Sequence, residues 1–436
     1  MNQTKPVSKP AGNPRRLYAL LTVLAVLIVI GLTWGIRYYL TSSVELAIRD
    51  RRSIEASKQI DRLAWWGDSN GATSFMRSRI ARLNGDLETA ARLLTAAVRK
   101  GYEPDAIHVE QLMFLAQGGY VAPLLGESSL LIELGKVDAG ELYFAAIRGY
   151  EFTGNLPEAK QLIDDWLKAD SADPRVHFEL GYYNELIDDD IQAKLSYQKA
   201  LELAPYWSSP RIRTAGILLN EDAEAAANLY ELAMVSEPDD PQSLLGCARA
   251  MTQTGRLDQA SRMLDRYLEL HSNTFVSRMV TAELLASEGK FSDSLAALAS
   301  CIEQRPEDIR VNRLLERVYR ELGDTVAADL ATKQLDAGTA ALTVFEEEKR
   351  NLIDGQTANF LLWLSAASKV FPYQAESAIY PLLVSMRLQS DYKETIRLLG
   401  ESFAVSGDPL LAARYRKAVQ EFTKKQKIDP PPEESP

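Results

Sequence analysis

The residues best suited to acid–base, nucleophilic or metal chemistry are few and widely spaced in this chain of 436 residues. Its three histidines, His108, His177 and His271, stand far apart, and its two cysteines, Cys247 and Cys301, form no CxxC or Cys/His cluster. Metal sites and histidine-assisted catalysis both need several such residues close together. We therefore predict no catalytic residue, no bound metal and no cofactor.

Most sequence motifs that carry common enzyme chemistry are also missing. No GxGxxG, GxxxxGK[ST] or HExxH pattern occurs, so nucleotide-binding and zinc-protease functions lack support. One GxSxG match occurs, at residues 67–71, but it lies in a polar cluster expected to end the juxtamembrane helix, and we infer no serine-hydrolase function from it. Acidic residues cluster at 188–190 and 239–240, where we expect them to cap helices, and at 164–165, where we expect a solvated helix face. We expect that this chain is not an enzyme.

One helical stretch concentrates positive charge on a single face. Arg310, Arg313, Arg317 and Arg320 follow one another at helical spacing, opposite an apolar stripe. Because guanidinium groups form paired hydrogen bonds to carboxylates, such a face suits an acidic extended segment of a partner protein. The alternative is that the four arginines only solvate an exposed face, since acidic residues such as Glu316 lie close by in the sequence.

The charge balance argues against nucleic acid as a partner. The net charge is −11, although residues 1–16 contain Lys5, Lys9, Arg15 and Arg16 and no acidic residue. Phosphate backbones require a basic surface, and the remainder of the chain is more acidic than the net charge indicates. We predict no nucleic-acid binding.

The element that positions these residues is a helical hairpin that returns along the chain. Residues 174–205 show two amphipathic helices with Gly181, Ala193, Tyr197, Ala200 and Pro205 as landmarks. Turn glycines then recur at close to 34-residue steps, with Asp188 and Glu221 at two of the turns and a last turn near 389–390; these glycines are Gly85, Gly119, Gly154, Gly255, Gly289, Gly323 and Gly355. This pattern resembles the tetratricopeptide repeat family.

Two further features support the resemblance. A small residue follows seven of the turns by five positions; these are Ala90, Ala159, Ala193, Ala226, Ala260, Ser294 and Ala328. Prolines close several units, and Glu316 and Phe360 depart from the pattern. The resemblance, over about residues 71–405, implies an all-α fold, a right-handed superhelical solenoid of about ten helical hairpins, preceded here by one transmembrane helix.

The resemblance also implies a concave groove that receives peptides. Offsets in the first helix of each unit that match those of the family place Arg148, Phe178, Tyr182, Arg249 and Met279 in this groove, together with the four arginines above. The family's clamp for chaperone tails, which combines asparagines with lysines, is not present in the arginine-rich unit, and we do not infer that activity.

An apolar segment near the N-terminus predicts a membrane anchor. Residues 17–36 carry no charge, and roughly 20 helical residues cross a bilayer. A cleaved signal peptide would have a shorter apolar core, whereas this run ends on Trp34, Tyr38 and Tyr39, which are typical of a membrane interface. We predict a single-pass protein of the bacterial inner membrane, with the N-terminus cytoplasmic and the repeats outside, although Lys and Arg are balanced across the segment.

The predicted organisation is therefore a basic tail over 1–16, a transmembrane helix over 17–40, a juxtamembrane helix and linker over 41–70, a solenoid with a C-terminal capping helix over 71–425, and a disordered tail over 426–436. The predicted function is a membrane-tethered scaffold for protein–protein interactions in a cell-envelope, secretion or polysaccharide-export complex. A self-assembling structural protein and a non-catalytic regulatory subunit of a membrane enzyme are the alternatives.

Overall fold

The computed structural model describes residues 14–49, 52–65, 71–133, 138–390 and 392–428, and their secondary structure is helical. The helices of the N-terminal half are α1 Pro14–Arg49, α2 Ser53–Trp65, α3 Ala72–Leu83, α4 Leu87–Arg99, α5 Pro104–Gln117, α6 Val121–Glu133, α7 Ala139–Phe152, α8 Leu156–Ala169, α9 Pro174–Leu186, α10 Asp190–Leu203, α11 Ser208–Leu218 and α12 Ala223–Ser236.

The helices of the C-terminal half continue the same pattern. They are α13 Pro241–Gln253, α14 Leu257–Leu270, α15 Phe275–Ser287, α16 Phe291–Gln304, α17 Ile309–Leu322, α18 Thr325–Asp354, α19 Phe360–Val370, α20 Ile379–Leu388, α21 Lys393–Val405 and α22 Pro409–Ile428, with a 3-10 turn at Ala375–Ala378. From α3 onward, consecutive helices pair as antiparallel hairpins, and the predicted solenoid of about ten helical hairpins after one long apolar helix is confirmed.

The hairpin turns lie where the periodic pattern predicts them. Six of the seven turn glycines have positive φ, from Gly154 at 75° to Gly119 at 100°, a conformation in which other residues are strained. Asp188 takes the same role with φ 62°. At Gly355 the positive φ falls one residue later, on Gln356. The turn is therefore defined by backbone geometry rather than by glycine itself.

Close packing of each hairpin depends on the small residues after the turns. All seven of them are buried, from fully in Ala159 and Ala193 to 3% exposed in Ala328. At Ser294 the hydroxyl also donates a 2.8 Å hydrogen bond to the carbonyl of Ala282 in the preceding helix, so that a polar atom is accommodated in the core.

The region after the apolar segment differs from the prediction. A single helix was expected over 41–66, but α1 runs on to Arg49 and α2 begins separately at Ser53. The apolar residues of the end of α1 and of α2 pack on each other, with Val44, Ile48 and Ile60 buried at the contact. The two helices therefore form one hairpin. The linker expected before residue 71 falls at 66–70, outside the described residues.

One expected break between repeats does not form. The second helix of the α17 hairpin and the first helix of the next unit are joined in α18, which is 30 residues long. No proline interrupts this stretch, whereas Pro205, Pro238 and Pro306 separate other units. The long helix carries the chain away from the end of the preceding units.

After α18, the chain folds back onto the inner face of the N-terminal half. Leu383, Phe403 and Tyr415 pack against Tyr182 and Leu186 of α9 in one apolar cluster. The predicted capping helix, α22, does pack on α21, but it also reaches residues some 260 positions earlier. Of the tail predicted to be disordered, residues 429–436 lie outside the described part of the chain.

Polar contacts also hold the C-terminal helices against the N-terminal half. The hydroxyl of Tyr415 donates a 2.8 Å hydrogen bond to the carbonyl of Phe152, and the amide of Gln242 donates one of 2.8 Å to the carbonyl of Gly407. On the outside, Lys349 of α18 pairs with Asp188 at 2.9 Å. The solenoid is therefore closed by its own C-terminal helices.

We predict that Gly149→Val lowers the stability of the fold by roughly 2 kcal/mol or more, through overpacking. A Cβ at this position of α7 would clash with the carbonyl oxygen of Ala116 and lie 2.7 Å from a methyl of Val121, and backbone cannot move aside as a side chain can. Thermal unfolding of the full chain in detergent, followed by circular dichroism, measures the change. In the control Gly216→Ala the nearest atom is the Tyr230 hydroxyl at 3.7 Å, so no loss is expected. Equal unfolding temperatures for wild type and Gly149→Val would contradict this packing.

Candidate functional site

The inner face of the solenoid is a ladder of arginine–carboxylate pairs between successive first helices. Arg148 of α7 contacts Glu179 of α9 at 2.9 Å, and Arg249 of α13 contacts Glu283 of α15 at 3.1 Å. The acidic partners were not predicted, although the sequence separation of 34 between Arg249 and Glu283 repeats the period of the hairpins. Two of the predicted groove arginines are therefore already neutralised within the fold.

Aromatic residues of the predicted groove lie between these charges. The Tyr182 ring is 5% exposed and has the Arg148 guanidinium 4.0 Å from its centre and that of Arg213 at 4.7 Å. Phe178 packs against Trp207 with ring centres 4.7 Å apart. The structure thus brings Arg148, Phe178 and Tyr182 together, and cation–π contacts hold the rings and guanidinium groups in place.

The remaining predicted groove residues lie farther along the inner face. Met279 is buried in the core around α15 and α17. Arg310 contacts Asp308 at 3.0 Å and Glu376 of the C-terminal segment at 2.6 Å. Its guanidinium therefore binds the C-terminal segment and does not line an open groove.

The other three arginines of α17 are exposed. Arg320 pairs with Glu316 one turn away. Arg313 and Arg317 are exposed, and among the described residues no ion pair or hydrogen bond engages their guanidinium groups. The four arginines of this helix therefore fall into two environments, one covered by the C-terminal segment and one open to solvent. Their role in binding stays a prediction.

A cavity of 930 Å³ lies between this inner face and the returning C-terminal helices. Its walls come from α2, from α7, α9 and α11, and from the region around α22, including Asp408, Arg414 and Tyr415. Arg414 has its guanidinium 4.0 Å from the centre of the Phe152 ring and donates a hydrogen bond to the carbonyl of Gln117. The period of the repeats gave no signal for this cavity, because part of its wall comes from α2 and from helices after α18, which the repeat pattern does not place.

One carboxylate in the wall of the cavity is unusual. Glu151 of α7 is 4% exposed, and neither of its oxygens accepts a hydrogen bond from the described residues. Its nearest cation is Arg148, at 3.3 Å. Burial raises the pKa of Glu151 to about 8, Glu179 adds to the rise, and Arg148 and Arg213 act against it. Sequence reasoning missed this residue because glutamate in a helix is normally exposed.

Other residues that could do chemistry have structural roles. Cys247 and Cys301 are both buried and are not joined in a disulfide. Asp240 accepts a 2.7 Å hydrogen bond from the backbone of Ser243 at the start of α13, as a helix cap does. His177 is hydrogen-bonded to the carbonyl of Ser171 at 2.9 Å. Within the described ranges, no group of three or more histidine, cysteine or acidic side chains could hold a metal ion.

The apolar N-terminal helix is directly joined to the solenoid. Its segment Thr22–Ile48 is long and apolar enough to cross a membrane, and near an N-terminus a signal sequence has the same properties. The C-terminal end of the helix packs in the core through Leu40 and Val44. Glu45 also pairs with Arg79 of α3 at 2.6 Å. Any membrane attachment through α1 would therefore fix the position of the solenoid.

A buried ion network ties this end of the molecule together. Arg82 of α3 is fully buried and contacts Glu110 of α5 at 2.6 Å and Glu141 of α7 at 3.2 Å. Arg79 contacts Glu141 as well, at 2.8 Å. Because removing one partner would leave a buried charge unpaired, such a network holds the helices in one arrangement.

Comparison with known protein families gives one match. Residues 218–281 match the family described as tetratricopeptide repeat, which confirms the predicted repeat. The matched segment covers α12, α13, α14 and part of α15. A search of curated proteins found no matching relative.

Solved structures give only distant likenesses. The human IFIT1 dimer with PPP-AAAA is 15% identical with a TM-score of 0.38, covering 87% of this chain and 94% of that one. Yeast Tom70 is 14% identical with a TM-score of 0.33, covering 91% and 97%. A tetratricopeptide repeat protein from Parabacteroides merdae is 14% identical with a TM-score of 0.33, covering 71% and 95%. At these TM-scores the likenesses support no conclusion about partners.

We predict that Glu151→Gln stabilises the protein in alkaline but not in acidic solution. Folding raises the pKa of this carboxyl from an ordinary value of 4.5 to about 8, so its contribution to stability is fully present below pH 4.5 and is lost as the pH rises to about 8. The amide of the variant does not titrate. The gain in the free energy of unfolding over wild type should therefore be larger at about pH 8.5 than at about pH 5, by at least about 1.4 kcal/mol, the value of one pKa unit.

Thermal unfolding of the full chain in detergent across this pH range measures the effect. The matched control is Glu283→Gln, which removes a carboxylate that accepts a hydrogen bond from Arg249 and should give no alkaline gain. A gain of the same size at both pH values would mean that Glu151 does not titrate in this window.

Proposed function

We propose that this tetratricopeptide repeat protein is a membrane-tethered scaffold that binds other proteins during assembly of a cell-envelope, secretion or polysaccharide-export complex. The observation that carries the proposal is the continuity of α1, whose apolar part is long enough to cross a bilayer and whose last turns are buried in the first hairpins. Confinement to the membrane raises the effective concentration for membrane partners, so that modest affinities are sufficient.

The binding surface that we propose is the exposed arginine stripe, Arg313, Arg317 and Arg320 on α17. Arg313 and Arg317 are open to solvent, so a partner carboxylate could reach either guanidinium in a two-bonded geometry. Arg310, by contrast, is held by Asp308 and Glu376. We therefore place the acidic extended segment of the partner on the outer part of this helix.

The alternative of a self-assembling structural protein finds less support. Polymerisation of a solenoid requires end units that stack on further copies, whereas here the last helices pack on the inner face through Tyr415 and Phe403. A non-catalytic subunit of a membrane enzyme remains compatible with the same tether and the same arginine stripe. It differs from the scaffold only in what the partner does.

We predict that reversing charge on the arginine stripe removes partners of the membrane-bound protein. The variant combines Arg313→Glu with Arg317→Glu, which replaces attraction for carboxylates by repulsion. Crosslinking in intact membranes, followed by purification and identification of the crosslinked proteins, compares it with wild type. The control combines Arg92→Glu with Arg99→Glu, the same charge change on two exposed arginines of α4. Crosslinked proteins should be lost in the first variant only, and identical sets would refute binding at the stripe.

We also predict the topology of the membrane attachment. With the N-terminus cytoplasmic and the solenoid on the outer side of a bacterial inner membrane, protease added to intact spheroplasts should digest the solenoid. An epitope added before residue 14 should stay on the membrane-bound protein, since an uncleaved anchor retains it and a signal peptide loses it. Protection of the solenoid would reverse the orientation, and loss of the epitope would replace the anchor by a signal peptide.

A further inference from the structure

The cavity inside the closed solenoid has the size and lining of a ligand site. Its 930 Å³ is within the usual range of about 300–1,000 Å³ for small-ligand pockets. Aromatic rings contribute much of its apolar wall, beside isoleucine and leucine side chains; the rings are Phe144, Phe152, Phe178, Tyr182, Trp207, Phe403 and Tyr415. Such a wall favours an apolar or cationic group over a strongly hydrated anion.

Glu151 gives the cavity a specific chemistry. A carboxylate that is 4% exposed and accepts no hydrogen bond within the described structure is rare, because nearly all buried polar groups are paired. Arg148 is the nearest possible donor, but it lies 3.3 Å from Glu151 and closer, at 2.9 Å, to Glu179. Within the described part of the chain, both carboxylate oxygens of Glu151 therefore lack a hydrogen-bond donor, which a ligand could supply.

The cationic groups of the cavity wall are engaged elsewhere. Arg82 is held by Glu110 and Glu141, and Arg213 by Glu185 at 3.3 Å. Arg414 is stacked on Phe152 and bonded to a carbonyl. Lys58 of α2 also lines the cavity but is exposed to solvent. Among the described residues, Glu151 therefore has one ion-pair contact, to Arg148 at 3.3 Å, and no hydrogen-bond donor at either oxygen.

Further carboxylates lie where the cavity meets solvent. Glu237, Asp239 and Asp240 line it, and Asp239 is exposed. Burial, together with the neighbouring Asp240, raises the pKa of Glu237, as expected where acidic groups crowd one another. Asp239 is paired with Arg266 at 2.8 Å and Asp240 caps α13, so Glu237 is the carboxylate of this group that adds to the attraction of Glu151 for a cation.

We propose that this cavity binds a primary ammonium group on an apolar stem, with the ammonium donating hydrogen bonds to the carboxylate of Glu151 and the stem lying against the aromatic rings. A lysine side chain of an extended peptide and a free diamine or polyamine both have this chemistry. When Glu151 is protonated in the empty protein, binding ionises it and one proton passes to solvent, so that the bound pair is carboxylate and ammonium.

The test uses the full chain in detergent and isothermal titration with two probes. One probe is a capped tripeptide Leu-Lys-Leu, and its matched control has norleucine in place of lysine. The other is 1,5-diaminopentane, with pentane-1,5-diol as its neutral control. Each titration is repeated in two buffers of different ionisation enthalpy, which reports the protons released. The variants are Glu151→Gln, which keeps the side-chain volume, and Glu283→Gln, a carboxylate of the same inner face outside the cavity.

The proposal expects binding of at least one ammonium probe, at least tenfold weaker binding of its neutral control, and at least a tenfold loss in Glu151→Gln but not in Glu283→Gln. It also expects proton release near neutral pH in wild type and none in Glu151→Gln. Binding of the peptide alone identifies a protein lysine as the source, and binding of the diamine alone identifies a free amine. Absence of binding by both probes, or equal binding by wild type and Glu151→Gln, overturns it. This site does not include the arginine stripe, so either proposal can fail while the other stands.

Discussion

The packing of the C-terminal helices on the inner face of the N-terminal repeats is the interaction on which the rest of the structure depends. Tyr182 and Leu186 contribute one side of this apolar cluster, and Leu383, Phe403 and Tyr415 the other. A solenoid has contacts only between neighbouring units, so a long-range cluster of this kind changes its character. It connects the two halves of the chain and contributes part of the wall of the cavity.

Closure changes what the inner face can bind. In an open solenoid the inner arginines would meet solvent or a peptide, whereas here Arg148 and Arg249 are paired with glutamates of neighbouring helices and Arg310 with the C-terminal segment. Burying these charges is tolerable only because each has a partner. Glu151 is held less closely, with Arg148 at 3.3 Å and no hydrogen bond to either oxygen among the described residues, and this is the basis of the ammonium site proposed above.

Buried charges are paired at the N-terminal end as well. Arg82 is fully buried because Glu110 and Glu141 surround it, and Arg79 extends the network to Glu45 of α1. The apolar helix is therefore anchored in the first hairpins by charge as well as by packing. If α1 is inserted into a membrane, this attachment would hold the outer helices at a fixed orientation to it.

The sequence by itself determined the hairpins, since turn and packing positions are set by local backbone geometry and recur with the period of the helices. Six glycines of positive φ and the buried small residues, such as Ala193, lie where the period places them. Only the tertiary structure decided that Arg148 is paired, that Arg313 is open, and that Glu151 lies in a cavity. Arg148 is paired with a residue of the next hairpin, and the choice of partner depends on side-chain contacts that the pattern does not specify. The cavity around Glu151 has part of its wall in helices after α18 that no longer follow the repeat, and a periodic pattern carries no information about them.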